Sequence, residues 1–439
     1  MPPATSTDSA RPPRAVLQGT ALQVLGRFWG AGCTVAILWL ASRELDVESF
    51  GRFTFYLALF AWLDSLANMG TGEVAVQRTA AHPNELESVL GGARRIRFAG
   101  GLVGVLLTAA IALGYGETDA WLLVVAALYP LTHTLELSAT VFRNQIAWGV
   151  PVALRATASA LSLAAVVLLA TNDARSPALY VCGVAAGSAT ANVLLHAVAR
   201  RQIPRTGATP TPLRELWSEA WPLGVSALFA QTYFYVDNVF IRELRGEEEL
   251  GPYNIAVRVL SYCIMIAQYA SLSLLPWLRR RHVGRELGDA LGNVGPPLFA
   301  LAGAGAGLLF PWTYELLELF RPGFGVAADS LKWLLLAVVA IYAGSTLLTA
   351  VVALGLNRAR LWISAGGLAL NIGANFWAVP RFGIAGAGAT TFATELFVAV
   401  SAAWVLTRHG VALGSAWRWL GGVALFALAA WISSLLPLG

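Results

Sequence analysis

The chain has 439 residues, of which 57% are hydrophobic and 13% are charged, and its mean hydropathy is +0.63. A water-facing surface needs more charge than this, so the composition excludes an ordinary soluble domain and predicts a polytopic membrane protein. The formal net charge is +5, which by itself would suit nucleic acid or anionic lipid.

Apolar stretches long enough to cross about 30 Å of hydrocarbon as helices, about 20 residues each, recur along the whole chain. Thirteen such stretches lie at 17–41, 50–70, 98–114, 120–142, 151–170, 178–199, 219–241, 252–277, 291–311, 331–355, 359–379, 384–406 and 418–436. We interpret them as two sets of six membrane spans followed by one additional span. The predicted fold class is an all-α polytopic membrane protein with two six-helix bundles and a C-terminal helix.

The segments between these stretches predict the domain boundaries. Residues 1–16 are rich in Pro, Ser and Thr without an apolar core, which predicts a cytoplasmic tail and no cleavable signal. Arginines and prolines at 200–214 predict a cytoplasmic linker. The linker would join a six-helix bundle at 17–199 to a second one at 215–410, and 411–439 would form the extra transmembrane helix.

The basic residues fall mostly on one side of the predicted membrane. With a cytoplasmic N-terminus, alternating loops place nineteen arginines inside, against eight basic residues outside. Cytoplasmic loops carry the excess of Lys and Arg, so this bias predicts a cytoplasmic N-terminus and a multi-pass protein of the cytoplasmic, or inner, cell membrane. The positive charge is then explained by topology and by lipid headgroups, and a nucleic-acid partner is not expected.

One piece of sequence occurs twice, about 200 residues apart, each time between two apolar segments. The first copy is Arg43-Glu44-Leu45 followed by Gly51-Arg52-Phe53, and the second is Arg242-Glu243-Leu244 followed by Gly251-Pro252-Tyr253. A duplicated membrane hairpin explains this pattern, and it predicts that the two bundles are internal repeats, as in many secondary transporters.

Several kinds of chemistry are not expected. The three cysteines lie within apolar spans, where they act as small packing residues, and the histidines show no metal-ligand spacing. The single lysine, Lys332, does not belong to a phosphate-binding loop, so nucleotide hydrolysis is not expected either. Energy would then come from an ion gradient, the membrane potential or a downhill sink.

Three stretches carry a resemblance to a known family. They are Ser49-Phe50-Gly51-Arg52-Phe53 leading to Asp64 and Gly70, Asp237-Asn238-Val239-Phe240-Ile241 leading to Gly251–Ala256, and Asn371–Pro380 leading to Gly383-Ile384-Ala385-Gly386-Ala387. The chain resembles the polysaccharide (O-antigen and exopolysaccharide) flippases of the multidrug/oligosaccharidyl-lipid/polysaccharide (MOP) superfamily. The resemblance implies two bundles around a central cavity that opens alternately to each side, and a cargo of undecaprenyl-pyrophosphate-linked oligosaccharide.

Charged residues inside spans are expensive, so each one is a candidate functional residue. Arg27 shares a helix face with Gln23, Gly30 and Thr34, and its planar guanidinium suits a pyrophosphate. An ion pair with Asp64 is the structural alternative. Arg155 lies near the cytoplasmic end of its span and is the second candidate for pyrophosphate binding, the alternative being that it reaches the headgroups.

Four further residues are candidates. Asp237 and Arg258, on neighbouring spans, are predicted to form a gating or structural ion pair. Glu395 lies in mid-span and is the first candidate for proton or sodium coupling, against a neutral hydrogen-bonded role. Glu136, with His133 three residues earlier, is the second coupling candidate, although such a histidine is more often structural. No cofactor and no metal site are predicted.

The leading hypothesis is a transporter, not an enzyme, that flips polyprenyl-pyrophosphate-linked oligosaccharides to the outer leaflet for polysaccharide biosynthesis. Its partners would be the lipid-linked substrate, membrane lipids, and a polysaccharide polymerase and glycosyltransferases. A multidrug/cation antiporter of the same superfamily is the alternative, although arginine-bearing spans disfavour a cationic cargo. A membrane-embedded polysaccharide polymerase or ligase is a further alternative, but no outer segment is long enough for a catalytic domain.

Overall fold

The computed structural model describes residues 14–145, 147–203, 209–278, 284–413 and 417–435. These residues form α-helices and short 3-10 turns without a β-strand, which confirms the predicted all-α fold class. The helices are α1 (Arg14–Glu44), α2 (Val47–Asn68), α3 (Thr71–Ala81), α4 (Leu86–Gly114), α5 (Ala120–Ala126), α6 (Tyr129–Glu136), α7 (Thr140–Asn144), α8 (Gly149–Thr171), α9 (Pro177–Ala199), α10 (Leu213–Arg245), α11 (Glu247–Leu278), α12 (Arg285–Leu309), α13 (Thr313–Glu318), α14 (Ala328–Ala353), α15 (Asn357–Arg408) and α16 (Trp417–Ser434).

Nine helical stretches in the described part of the chain are long and apolar enough to cross a membrane. One of them is α15, whose 52 residues contain the predicted spans 359–379 and 384–406. The two spans are separated at Gly383, where φ is 58° and ψ is −145°. An L side chain rarely adopts this conformation, so glycine allows the chain to break the helix there.

The predicted span 120–142 is not one continuous helix. It is divided into α5, α6 and α7, with a 3-10 turn at Leu137–Ala139 before the last of them. Pro130 stands in the first turn of α6, where its missing N–H costs no helical hydrogen bond, so the break falls just before it. This broken span carries His133, Glu136 and Arg143 on short helical pieces.

Contacts group the chain into two compact units, and unit 1 takes the described residues of Met1–Ile37, Thr71–Asn172 and Cys182–Ala220. Its buried apolar cluster joins Ala139 and Phe142 to Leu195 and Ala199 of α9. Helix α4 packs on α3 and α6.

Unit 2 takes the described residues of Leu38–Gly70, Asp173–Val181 and Trp221–Gly439. Its core lies between four helices, α11, α12, α14 and α15. Their buried side chains, mostly Leu, Val and Ala, form one cluster. Helix α12 packs closely on α16. Helix α2 packs on α11, so the two copies of the repeated motif meet inside this unit.

The predicted boundaries at 16, 199, 214 and 410 stay predictions. Part of the tail, residues 1–13, and the middle of the linker, residues 204–208, lie outside the described residues. The same holds for 414–416 and 436–439, which flank the described part of the extra C-terminal helix.

Candidate functional sites

Three arginines of unit 1 line one cavity of about 80 Å³. Arg27 comes from α1, Arg143 from α7 and Arg155 from α8, and we call this space the arginine cavity. Its remaining lining consists of Gln23, Gly26, Ala139, Trp148, Pro151 and Val152. The structure therefore brings together Arg27 and Arg155, the two residues predicted to bind pyrophosphate.

Close packing of α1 on α8 places these side chains. A Cβ on Gly26 would lie 2.5 Å from a methyl group of Val152, so a larger residue there would force the Val152 side chain or the helices to shift. One turn later the indole N–H of Trp29 donates a 3.0 Å hydrogen bond to the carbonyl of Ala156. Gly26 therefore serves the close approach of α1 and α8, which brings Arg27 and Arg155 to one cavity.

Glu136 is the carboxylate beside the arginine cavity. It forms an ion pair with Arg155, and its Oε2 lies 3.6 Å from Nη1 of Arg97 and 3.4 Å from Nδ1 of His133. The side chain of Arg155 is 53% exposed, that of Glu136 22% and that of Arg97 8%. The carboxylate thus has a buried cation on one side and a solvent-accessible one on the other.

Arg97 is fixed by more than its charge. Its guanidinium donates 3.1 Å and 2.9 Å hydrogen bonds to the Thr71 hydroxyl and to the His133 carbonyl. Arg97 and Arg143 are among the nineteen arginines that the sequence predicts on the cytoplasmic side, and neither was predicted to have a site role. No regular helical spacing links Glu136 to Arg143, because the 3-10 turn at Leu137–Ala139 separates α6 from α7.

Asp237 is the most deeply buried charged residue of unit 2, at 1% exposure. Its carboxylate accepts hydrogen bonds from the Tyr253 hydroxyl at 2.6 Å, the Asn375 amide at 2.6 Å and the Thr391 hydroxyl at 2.9 Å. These donors come from α11 and from both segments of α15. Asn371 extends the network, since its Oδ1 accepts a 3.0 Å bond from Asn375. Helices α10, α11 and α15 are thereby tied to one carboxylate.

The predicted ion pair between Asp237 and Arg258 is not formed in the part of the chain that the structure describes. The reason is helical geometry. Tyr253 faces Asp237, and Arg258 follows five residues later, which places it about 140° around α11. Arg258 lines a different space, a cavity of about 400 Å³ that we call the unit 2 cavity.

Glu395 also lines the unit 2 cavity and is 7% exposed. The Tyr233 hydroxyl is its polar partner. Polar groups in the same lining come from Gln231, Tyr235, Ser261, Gln268 and Ser345. The cavity thus places a buried carboxyl, an arginine and several neutral hydrogen-bonding groups around one space. Among the described residues, no three His, Cys, Asp or Glu side chains come together as a metal site.

A comparison with known protein families assigns the chain to one of them. Residues 16–282 match the family described as polysaccharide biosynthesis protein. The match covers more than half of the chain, so the chain belongs to this family. No curated protein sequence matches the chain significantly.

Solved structures share the fold. The lipid II flippase MurJ in an inward closed conformation aligns with a TM-score of 0.69 at 10% identity, covering 95% of this chain and 98% of that one. The MATE multidrug transporter DinF-BH aligns with a TM-score of 0.67 at 14% identity, covering 93% and 99%. The Vibrio cholerae MATE transporter VcmN gives 0.60 at 14%, covering 90% and 96%. The family match confirms the polysaccharide part of the predicted resemblance. Identities this low show the fold alone, and the shared fold agrees with the one that the resemblance implies.

Proposed function

We propose that this protein flips polyprenyl-pyrophosphate-linked oligosaccharides, with undecaprenyl as the carrier, from the cytoplasmic to the outer leaflet for polysaccharide biosynthesis. The single observation that carries the proposal is the convergence of Arg27, Arg143 and Arg155 on one cavity. Membership in the polysaccharide biosynthesis family supports the same substrate class.

The chemistry of the arginine cavity suits a diphosphate. A guanidinium presents paired N–H donors to phosphate oxygens and keeps its charge in a poor solvent. Clustering three of them in membrane-spanning helices is costly, and an anionic ligand offsets that cost. A cationic drug would meet repulsion from the same groups, which disfavours the antiporter alternative.

The proposed cycle uses alternating access. The headgroup enters from the cytoplasmic side of the inner membrane, where the N-terminus lies, and the sugars occupy the aqueous lumen while the lipid tail remains in the bilayer. Glycosyltransferases would supply the substrate and a polymerase would consume it. The protein itself performs no bond chemistry in this proposal.

Glu395 is the proposed site of proton or sodium coupling. Its burial and its position on the wall of the unit 2 cavity support this role, because a carboxyl in that setting binds a proton or cation readily. Arg258 lines the same cavity.

The substrate proposal is tested with purified protein in proteoliposomes that contain a fluorescent polyprenyl-diphosphate oligosaccharide. We expect Arg27→Gln and Arg155→Gln each to slow translocation at least about tenfold. Arg285→Gln is the matched control, because its side chain is 93% exposed and lies in unit 2. Unchanged translocation by both cavity variants would overturn the proposal. Export of a cationic dye without glycolipid movement would favour the antiporter instead.

The coupling proposal uses the same vesicles with an imposed proton or sodium gradient. We expect the gradient to accelerate transport by the wild-type protein and to have no effect on Glu395→Gln. Asp289→Asn is the control, since its side chain is 73% exposed. A gradient response that survives in Glu395→Gln would remove Glu395 from the coupling role.

A further inference from the structure

We propose that Glu136 is an internal counter-ion: it pairs with Arg155 when the arginine cavity holds no ligand, and the diphosphate of the substrate replaces it as the partner of Arg155. The inference rests on the proposed function, because it assigns a regulating residue to the same cavity. In this exchange no covalent bond changes. The Arg155 guanidinium leaves one anion and binds another, and its return to Glu136 assists release of the headgroup.

Glu136 has two arginine partners, of which Arg97 is held in place and Arg155 is free to move. Glu136 lies at the end of α6 and is held from its buried side by Arg97, whose own hydrogen bonds to Thr71 and the His133 carbonyl fix it in place. Arg155 approaches from the opposite side, and half of its side chain is exposed. A ligand that enters the cavity therefore meets Arg155 directly, while the carboxylate behind it stays where it is.

Charge balance makes the exchange inexpensive. If a diphosphate takes Arg155, Glu136 still has the buried Arg97 guanidinium within 4 Å and the His133 ring beside it. Leaving a buried carboxylate without a cation is strongly unfavourable, and Arg97 prevents that outcome.

The empty cavity also needs an internal anion. Arg27 and Arg155 repel each other, and Arg143 lines the same space. Glu136 offsets this repulsion when no ligand is present. It thereby competes with the ligand for Arg155, lowers the affinity and promotes release. We expect the residue to raise turnover at the expense of affinity, as a transporter requires.

The binding experiment uses the full-length protein in detergent with a C15 isoprenyl diphosphate as probe. We expect Glu136→Gln to bind the probe about tenfold more tightly than the wild type and to turn over the lipid-linked oligosaccharide more slowly in vesicles. Glu136→Asp keeps the charge but shortens the side chain, so we expect an intermediate affinity. Glu215→Gln is the control, because Glu215 pairs with Arg78 and does not line the cavity.

A double-mutant cycle separates this mechanism from simple repulsion. If Glu136 acts by holding Arg155, the effect of Glu136→Gln on affinity disappears when Arg155→Gln is already present. An equal gain in both backgrounds would overturn the proposal, and so would weaker binding by Glu136→Gln. Inorganic pyrophosphate, tested in parallel, shows whether the headgroup alone produces the pattern or the isoprenyl chain is needed.

The two proposals fail in different ways. If the wild type translocates no lipid-linked oligosaccharide but the affinity pattern of the cycle holds, the substrate assignment is wrong and the counter-ion role stands. If translocation depends on Arg27 but the cycle shows no coupling between Glu136 and Arg155, the substrate assignment stands and the counter-ion role is wrong.

Discussion

The carboxylate of Glu247 forms an ion pair with Arg52, which joins the second copy of the repeated motif to the first. The same carboxylate pairs with Arg242, whose guanidinium also lies over the ring of Phe55 at 4.4 Å. The side chain of Arg242 is 4% exposed and that of Glu247 is 14% exposed. One glutamate therefore pairs with two arginines at the contact between α2 and α11.

Glu247→Gln should destabilise the protein by about 3 kcal/mol, because it removes the carboxylate that pairs with the buried Arg242 guanidinium. The free energy of unfolding is measured from denaturant titrations in mixed micelles. Glu48→Gln is the control, since Glu48 pairs with the same Arg52 but is 53% exposed, and it should cost less than about 1 kcal/mol. Equal effects of the two variants would show that the Arg242 contact contributes nothing.

Gly51→Ala tests the close approach of the two motif copies. A Cβ at Gly51 would overlap the backbone carbonyl of Glu247, and backbone cannot move aside as a flexible side chain can. We expect a loss of about 1–3 kcal/mol from overpacking, measured as above. Gly305→Ala is the control, because a Cβ there meets no atom within 4 Å. If Gly51→Ala matched Gly305→Ala, the two copies would not be in contact in solution.

The repeat illustrates how far sequence reasoning reached in the fold. Two copies of a hairpin could be recognised because an Arg-Glu-Leu triplet precedes a glycine in both, Gly51 in the first copy and Gly251 in the second. That the copies contact each other could not, because they are about 200 residues apart and nothing local specifies the pairing. The sequence analysis also predicted the fourth span as one continuous helix, whereas the structure divides it into short helices near Pro130.

Asp46→Ala removes the N-terminal cap of α2. The Asp46 carboxylate accepts hydrogen bonds from the Ser49 amide at 2.8 Å and the Ser49 hydroxyl at 2.9 Å. Loss of such a cap costs about 1 kcal/mol. Burial raises the pKa of Asp46, but these hydrogen bonds outweigh that effect and hold the pKa below its ordinary value.

The lowered pKa gives the sign of a pH effect. A depressed folded-state pKa means that the stabilisation by Asp46 is complete above its unfolded pKa of about 3.9 and is lost as the pH falls through the folded-state pKa. Asp46→Asn keeps a capping side chain that does not titrate, so its difference from the wild type should shrink on acidification from neutral pH. Denaturant midpoints over that range measure it, and a constant difference would contradict the assignment.

Gly92→Ala probes the contact between α4 and the start of α10 in unit 1. A Cβ at Gly92 would lie 2.6 Å from the backbone oxygen of Thr211, a segment already tied to α4 by the 3.0 Å hydrogen bond from the Thr211 amide to the Ser88 carbonyl. We expect a loss of about 1–3 kcal/mol in denaturant titrations. Gly114→Ala, at the other end of the same helix, meets no atom and should be neutral. A neutral Gly92→Ala would show that this segment moves away from α4.

Some residues of the candidate sites could be identified from the sequence and others could not. Arg27 and Arg155 could be identified because a charge within an apolar span stands out against its surroundings. Arg97 and Arg143 could not, because they lie at the ends of predicted spans, where arginine is common. Asp237 was identified but given the wrong partner, since its three donors lie up to 154 residues from it along the chain. Adjacency along the chain had suggested Arg258 instead.

Tyr253→Phe isolates one hydrogen bond of the Asp237 network without changing the ring. The Tyr253 hydroxyl donates to the buried Asp237 carboxylate at 2.6 Å, and both residues are 1% exposed. Hydrogen bonds to charged groups contribute about 1.5–3 kcal/mol, so we expect a loss of that size in denaturant titrations. Tyr314→Phe is the control, because Tyr314 is 55% exposed and water replaces its hydroxyl contacts.

Asn375 and Thr391 continue to hold Asp237 in the variant, so the fold should persist and the loss should stay below that of Asp237→Ala. A Tyr253→Phe protein as stable as Tyr314→Phe would mean that Asp237 does not need this donor.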